Sequence, residues 1–173
     1  MIERTNKIVM KDSFRILFFL FFLAGAFFSS AAQAETEKKY GVGNVAQVMK
    51  YIGEAPGTKL VFVYASWCPF CQEKFPDVMA LEEVKKGSVI ALSVDRDSSK
   101  LSRYLGGYKN LPVRSILVKQ GYGSELREAL STTYKVKNGD GIPFMVVIDR
   151  NNNVLLQGNF PVEEAANLIL GQK

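Results

Sequence analysis

Two cysteines three positions apart carry the chemistry of this chain. Cys68-Pro69-Phe70-Cys71 holds both cysteines of a 173-residue sequence that has no histidine. Two thiols at this spacing can close and open an intramolecular disulfide, and so trade electrons with a second disulfide. The thiolate is the attacking species in that exchange. Structural zinc takes about four ligands, mostly Cys and His. This sequence cannot complete such a shell from those residues, so no metal and no cofactor is expected. A purely structural bridge would close a very small loop and add little stability. A redox-active pair is favoured over both.

The elements that must position the pair flank it. Leu60 to Ala65 is an apolar run that predicts a buried strand. Residues from about Pro69 to Lys86 carry a helical pattern, with apolar contacts at Phe75, Val78, Met79, Leu81 and Val84, and Gly87 ends it. Pro76 falls inside that helix and predicts a kink. The cysteines thus sit where a strand hands over to a helix. A helix N-terminus presents unpaired N–H groups and the positive end of the dipole, which favour a thiolate. Pro69 suits the first helical turn, where its missing N–H is not needed. Cys68 is expected to be partly exposed at the helix mouth and to attack. Cys71, one turn on, is expected to be buried behind it and to resolve the mixed disulfide.

The remaining elements follow in order. Gly43 to Ile52 has helical spacing at Val45, Val48, Met49 and Ile52, and Gly53 to Gly57 breaks it. Val89 to Val94 is a second buried strand, so strand, helix and strand imply a parallel crossover. Asp97 or Ser98 caps a short helix over Lys100 to Leu105. Val113 to Val118 is a strand or an extended piece beside Pro112. Ser124 is expected to cap a helix running to Leu130, and Asn138 to Gly141 to form a tight loop. Ile142 to Asp149 is a strand opened by a proline. Arg150 to Asn153 is a hairpin turn, and Val154 to Gln157 the returning strand. Glu163 to Leu170 is the last helix. No repeat or low-complexity linker divides residues 35–173, which are expected to form one domain.

Composition narrows the function. Hydrophobic residues make up 47% and charged residues 23%, which is ordinary for a globular core. The net charge is +5, but no block of like charge is long enough to form a nucleic-acid stripe. Residues 1–34 resemble a secretory leader. Arg4, Lys7, Lys11 and Arg15 precede a charge-free run from Ile16 to Phe28, and Ala32-Gln33-Ala34 is a small-x-small cleavage site. Cleavage near Ala34 and a periplasmic location are expected. The alternative is an uncleaved inner-membrane anchor, although the apolar run is shorter than the twenty or so residues a spanning helix needs. Export places the pair where disulfides persist.

Helix, strand, Cys-x-x-Cys helix, strand, helix, proline, β-hairpin, helix resembles the thioredoxin superfamily. The matching residues are Ala65-Ser-Trp-Cys-Pro-Phe-Cys71, Pro76, and Gly141-Ile-Pro143 before Val-Val-Ile-Asp-Arg150. Ser93-Val-Asp95 and Gly-Ile-Pro are most similar to the exported TlpA/ResA-type branch. The resemblance covers roughly residues 42–170. It implies an α/β thioredoxin-like fold, a central mixed β-sheet flanked by helices. It also implies a protein disulfide oxidoreductase that reduces or isomerises disulfides, with Cys68 attacking and Cys71 resolving. Trp67 and Phe70 would flank the substrate. Ile142-Pro143 would be a cis peptide facing the cysteines, with Ile142 backbone groups pairing with substrate. Read from the residues alone, Pro143 is a strand-opening proline and Trp67 is equally compatible with core packing.

Three positions depart from the pattern. Phe62 stands where many thioredoxins keep a buried acid. Lys74 stands where exported relatives often carry one, and Phe144 where a Thr commonly follows the proline, which predicts a more apolar groove. The Pro-aromatic pair between the cysteines also resembles glutaredoxins and the conjugation-associated isomerase TrbB. The implied partners are periplasmic proteins with cysteines, and a membrane electron donor is compatible. A second reading is a thioredoxin-like binding module of a secretion or conjugation apparatus, with the redox pair incidental and Phe70 and Phe144 as its apolar contacts. A peroxidase is disfavoured, because no Thr and Arg constellation flanks Cys68.

Overall fold

A computed structural model of the chain describes residues 39–119, 123–137 and 141–171. The expected leader, residues 1–34, and most of the expected tight loop at 138–141 lie outside the described residues.

The sheet is built outward from its most apolar strand. Lys59–Tyr64 (β2) is buried at every position, as a strand covered on both faces must be. Tyr40–Gly43 (β1), Val89–Ser93 (β3), Arg114–Val118 (β4), Phe144–Ile148 (β5) and Val154–Gly158 (β6) complete a six-stranded sheet of order β1-β4-β3-β2-β5-β6. β2, β3, β4 and β1 pair in parallel, β5 runs antiparallel to β2, and β6 runs antiparallel to β5. The sheet is therefore mixed, and β2 lies at its centre.

Five helices join the strands: Val45–Glu54 (α1), Pro69–Val84 (α2), Ser98–Gly106 (α3), Ser124–Tyr134 (α4) and Val162–Leu170 (α5). Asn44 and Gln47 form a capping box at the start of α1, satisfying two otherwise unpaired donors. Asp97 caps α3, accepting from Ser99 N–H at 2.9 Å. Pro76 lies inside α2, which continues on both sides of it. At its far end, Gly87 takes φ +80°, a conformation open to glycine. The buried Glu82 accepts there from Gly87 N–H at 2.6 Å and Val89 N–H at 2.9 Å, tying the helix to the start of β3.

The hairpin turn between β5 and β6 is closed by Asp149. Its carboxylate accepts from Asn151 N–H and Asn153 N–H, each at 2.8 Å, while Asn152 takes φ +64°. The Asn153 side-chain amide, donating to the same carboxylate at 3.0 Å, and these backbone bonds hold the Asp149 carboxyl below its ordinary range.

Two expectations need correction. The chain does not enter the fold through a helix: β1 comes first and pairs in parallel with β4. Two glycines in four residues hide its strand character, which comes from backbone pairing rather than side-chain pattern. Ser124 is not the cap of α4 but its first residue, and Gly123 holds the cap position without a side-chain bond.

Candidate active site

The C-terminal end of β2 delivers the cysteines to the start of α2. Parallel strands gather ligand-facing residues at their carboxyl ends, and β2 is flanked by the ends of β3 and the start of β5. Cys68 is the N-cap of α2, and its Sγ accepts from Cys71 N–H at 3.3 Å. Pro69 is the first helical residue, as expected. Both cysteines are free thiols.

Cys71 is fully buried, as the one-turn spacing predicts. Cys68 is less open than expected, with only 4% of its surface exposed. The Ile142-Pro143 segment accounts for this: the Cys68 thiol donates to the Ile142 carbonyl at 3.6 Å, so backbone occupies space that solvent would fill. The Ile142-Pro143 peptide bond is cis. Cys68, Cys71 and Ile142-Pro143 therefore come together as the resemblance implies.

The two aromatic neighbours point outward. Trp67 is 60% exposed and Phe70 67% exposed, so neither packs in the core. Phe144 behaves otherwise. It is buried in β5 beneath the cis segment and does not line an apolar surface groove. Lys74, where relatives often carry an acid, donates to the Phe160 carbonyl at 2.9 Å.

Burial, followed by the hydrogen bond with Cys68, pushes the Cys71 thiol far above its ordinary range. The Asp95 carboxylate adds to that effect. Asp95 was legible only as part of the Ser93-Val-Asp95 resemblance, with no role attached, yet it is 3% exposed and organises the mouth of the site. It accepts from Ser66 N–H at 2.9 Å, Ser66 Oγ at 2.7 Å and Ser93 Oγ at 2.7 Å. Ser66 lies two residues before Cys68, so this carboxylate fixes the turn that aims the nucleophile. Gln72 adds a second tie, donating to the Ser66 carbonyl at 2.5 Å. The usable signal was an acid placed directly after a buried strand that neighbours the motif strand.

Behind Cys71 the protein holds aromatic rings where a thioredoxin would hold an acid. Phe62 stacks on Tyr64 at 5.4 Å, and Phe75, one turn beyond Cys71, meets Tyr64 at 5.2 Å. Tyr104 and Tyr108 each lie 5.4 Å from Phe75, and the Tyr108 hydroxyl donates to that of Tyr104 at 3.1 Å. Burial pushes the Tyr64 and Tyr104 hydroxyls well above their ordinary range. Among the described residues, no group of three or more carboxylates and cysteines could hold a metal ion.

No curated protein matches the sequence. Among solved structures, the chain is similar to a thioredoxin-family thiol:disulfide interchange protein from Chlorobium tepidum. Identity is 21% and the TM-score 0.51, over 73% of this chain and 84% of that one. It is also similar to the thioredoxin domain of a thiol-disulfide oxidoreductase from Bacteroides vulgatus, with 15% identity and a TM-score of 0.50, over 68% and 79% of the two chains. At such identities the likeness establishes a thioredoxin-like fold. Residues 50–168 match the Redoxin family, a span that runs from α1 into α5 and contains every site residue described above. On that match the chain belongs to the redoxin family, and its fold is thioredoxin-like.

Proposed function

We propose that the protein is an exported thiol-disulfide oxidoreductase that reduces or isomerises disulfides of periplasmic proteins. The observation that carries this reading is the position of Cys68: at the mouth of α2, 3.6 Å from the Ile142 carbonyl, with Cys71 buried behind it. Family membership supports the oxidoreductase class. The leader-like residues 1–34 motivate export.

The exchange has two steps. Cys68, as a thiolate, attacks one sulfur of a substrate disulfide. A Cys68–substrate bond forms, the substrate S–S bond breaks, and the departing sulfur takes a proton. Cys71 then loses its proton and attacks Cys68 Sγ. The Cys68–Cys71 disulfide forms and the substrate leaves as a dithiol, two electrons richer. Trp67, Phe70 and the Ile142 backbone flank the incoming chain. Return to the dithiol takes two electrons from a thiol donor, and a membrane-held donor suits an exported protein. In isomerisation the substrate's own thiol resolves the mixed disulfide and no donor is needed.

Insulin reduction tests the reading. The wild-type protein should accelerate it and Cys68→Ala should not; retained activity in that variant would give the nucleophile to another residue. The reduction potential separates the directions of flow. A value near about −270 mV marks a reductant, and one near about −120 mV an oxidant. N-terminal sequencing of the protein recovered from the periplasm should begin after Ala34. A binding module with an incidental redox pair is weakened by the burial of Phe144, one of its two apolar contacts.

A further inference from the structure

A groove of about 800 Å³ runs from the cysteine motif along the outer side of α2, with α5 as its other wall. Its α2 wall is one helical face: Phe70, Glu73, Asp77, Leu81 and Val84 follow one another at three- and four-residue steps. Phe70 and Val84 stand at its two ends and are 67% and 70% exposed. At about 1.5 Å per residue, the fourteen steps between them span about 21 Å. An extended chain of about six residues covers that distance.

The charge on this groove opposes that of the chain. Residues 35–173 hold 18 bases and 15 acids, a net charge of +3, yet the groove is lined by Glu73, Asp77 and Glu163 against a single base, Lys74. The Lys74 ammonium is already engaged with the Phe160 carbonyl. Among the described residues, none of the three acids forms a salt bridge. Glu163 lies in the first turn of α5, where the helix dipole favours an acid. Glu73 and Asp77 have no such local reason, and both are exposed.

We propose that this groove is an exosite for the polypeptide flanking the substrate cysteine, and that it selects an extended segment mixing apolar residues with Lys or Arg. The proposal rests on the reading of Cys68 as the attacking thiol, because Phe70, between the two cysteines, joins the exosite to the reacting sulfurs. Apolar side chains of the segment cover the exposed Phe70 and Val84 at the two ends of the groove, and its cations meet Glu73 and Asp77. The groove thus gives a basic protein a means of recruiting basic substrates that its overall charge would otherwise repel.

The test uses the Glu73→Lys/Asp77→Lys double variant of the full chain. Both positions are exposed and outside the cysteine motif. Two disulfide peptides serve as substrates, with Lys and Leu or with Glu and Leu flanking the cysteine. Wild type should show a KM for the basic peptide about tenfold below that for the acidic one, at similar kcat, and the double variant should reverse the order. Reduction of a small aromatic disulfide, too short to reach the groove, should be unchanged. Equal KM values for the two peptides in wild type, or an order unmoved by the charge reversal, would overturn the exosite. Serine versions of the peptides, labelled for anisotropy, read binding without chemistry. If those still discriminate while no disulfide is turned over, the redox reading fails and the groove stands.

Discussion

Asp95 is the residue whose removal separates architecture from chemistry. Its carboxylate takes three buried hydrogen bonds, two of them from Ser66. Asp95→Ala leaves those donors unpaired, which costs about 3 kcal/mol of stability, measurable by urea denaturation. Asp95→Asn keeps an acceptor and removes the charge. Burial, the bond to Cys68 and the Asp95 charge together hold Cys71 as a thiol at neutral pH, so resolution of a mixed disulfide requires loss of that proton. The single-turnover resolution rate should therefore rise as pH increases from neutral to alkaline. In Asp95→Asn the rise should come at lower pH, since one of the influences opposing the thiolate is gone. An unchanged profile would mean that Asp95 acts on the fold alone. The cysteine pair and the burial of Cys71 were readable from the spacing. The low exposure of Cys68 was not, because the backbone that covers it comes from a segment over seventy residues away. Phe144 misled for a related reason: its position beside the cis segment suggested a groove, while its place in a central strand buries it.

At the scale of elements, α2 is held to the sheet through Phe75. This residue is fully buried and meets Phe62, Tyr64, Tyr104 and Tyr108. Phe75→Ala empties the centre of that aromatic cluster and should cost about 3–5 kcal/mol, read as a lower urea midpoint. Phe75→Leu should recover most of the loss. Since Phe75 is one turn beyond Cys71, the alanine variant should also loosen Cys71 and slow resolution more than the first attack. The central elements were legible because burial on both faces demands continuous apolar runs, as in Leu60 to Ala65 and Phe144 to Ile148. The edge was not. β1 contains Gly41 and Gly43 and alternates little, and only pairing with β4 makes it a strand. The start of α4 was off by one residue because a serine at a helix start suggests a cap, whereas the backbone turns at Gly123.

At the scale of the whole molecule, several buried acids are kept neutral by the fold. Burial pushes up the hydroxyls of Tyr64, Tyr104 and Tyr134, as well as the Cys71 thiol. The unfolded chain loses these protons at ordinary cysteine and tyrosine values. Above about pH 9 the folded state therefore holds more protons than the unfolded one. The stability these groups contribute is complete below that range and is lost as pH rises through it. Urea midpoints of the reduced protein should fall steadily above about pH 9. The oxidised protein should fall less, because Cys71 then has no proton to lose. Parallel declines in the two forms would mean that Cys71 is not held protonated in the dithiol.

Disulfide exchange through Cys68 leaves a covalent trace when its partner is removed. Incubating Cys71→Ala with a disulfide-bonded substrate, and mapping the bridge by mass spectrometry after digestion, reads that trace directly. A mixed disulfide on Cys68 is predicted. A chain that forms no adduct, and whose wild type leaves the same substrate oxidised, would contradict the assignment of this pair to disulfide exchange.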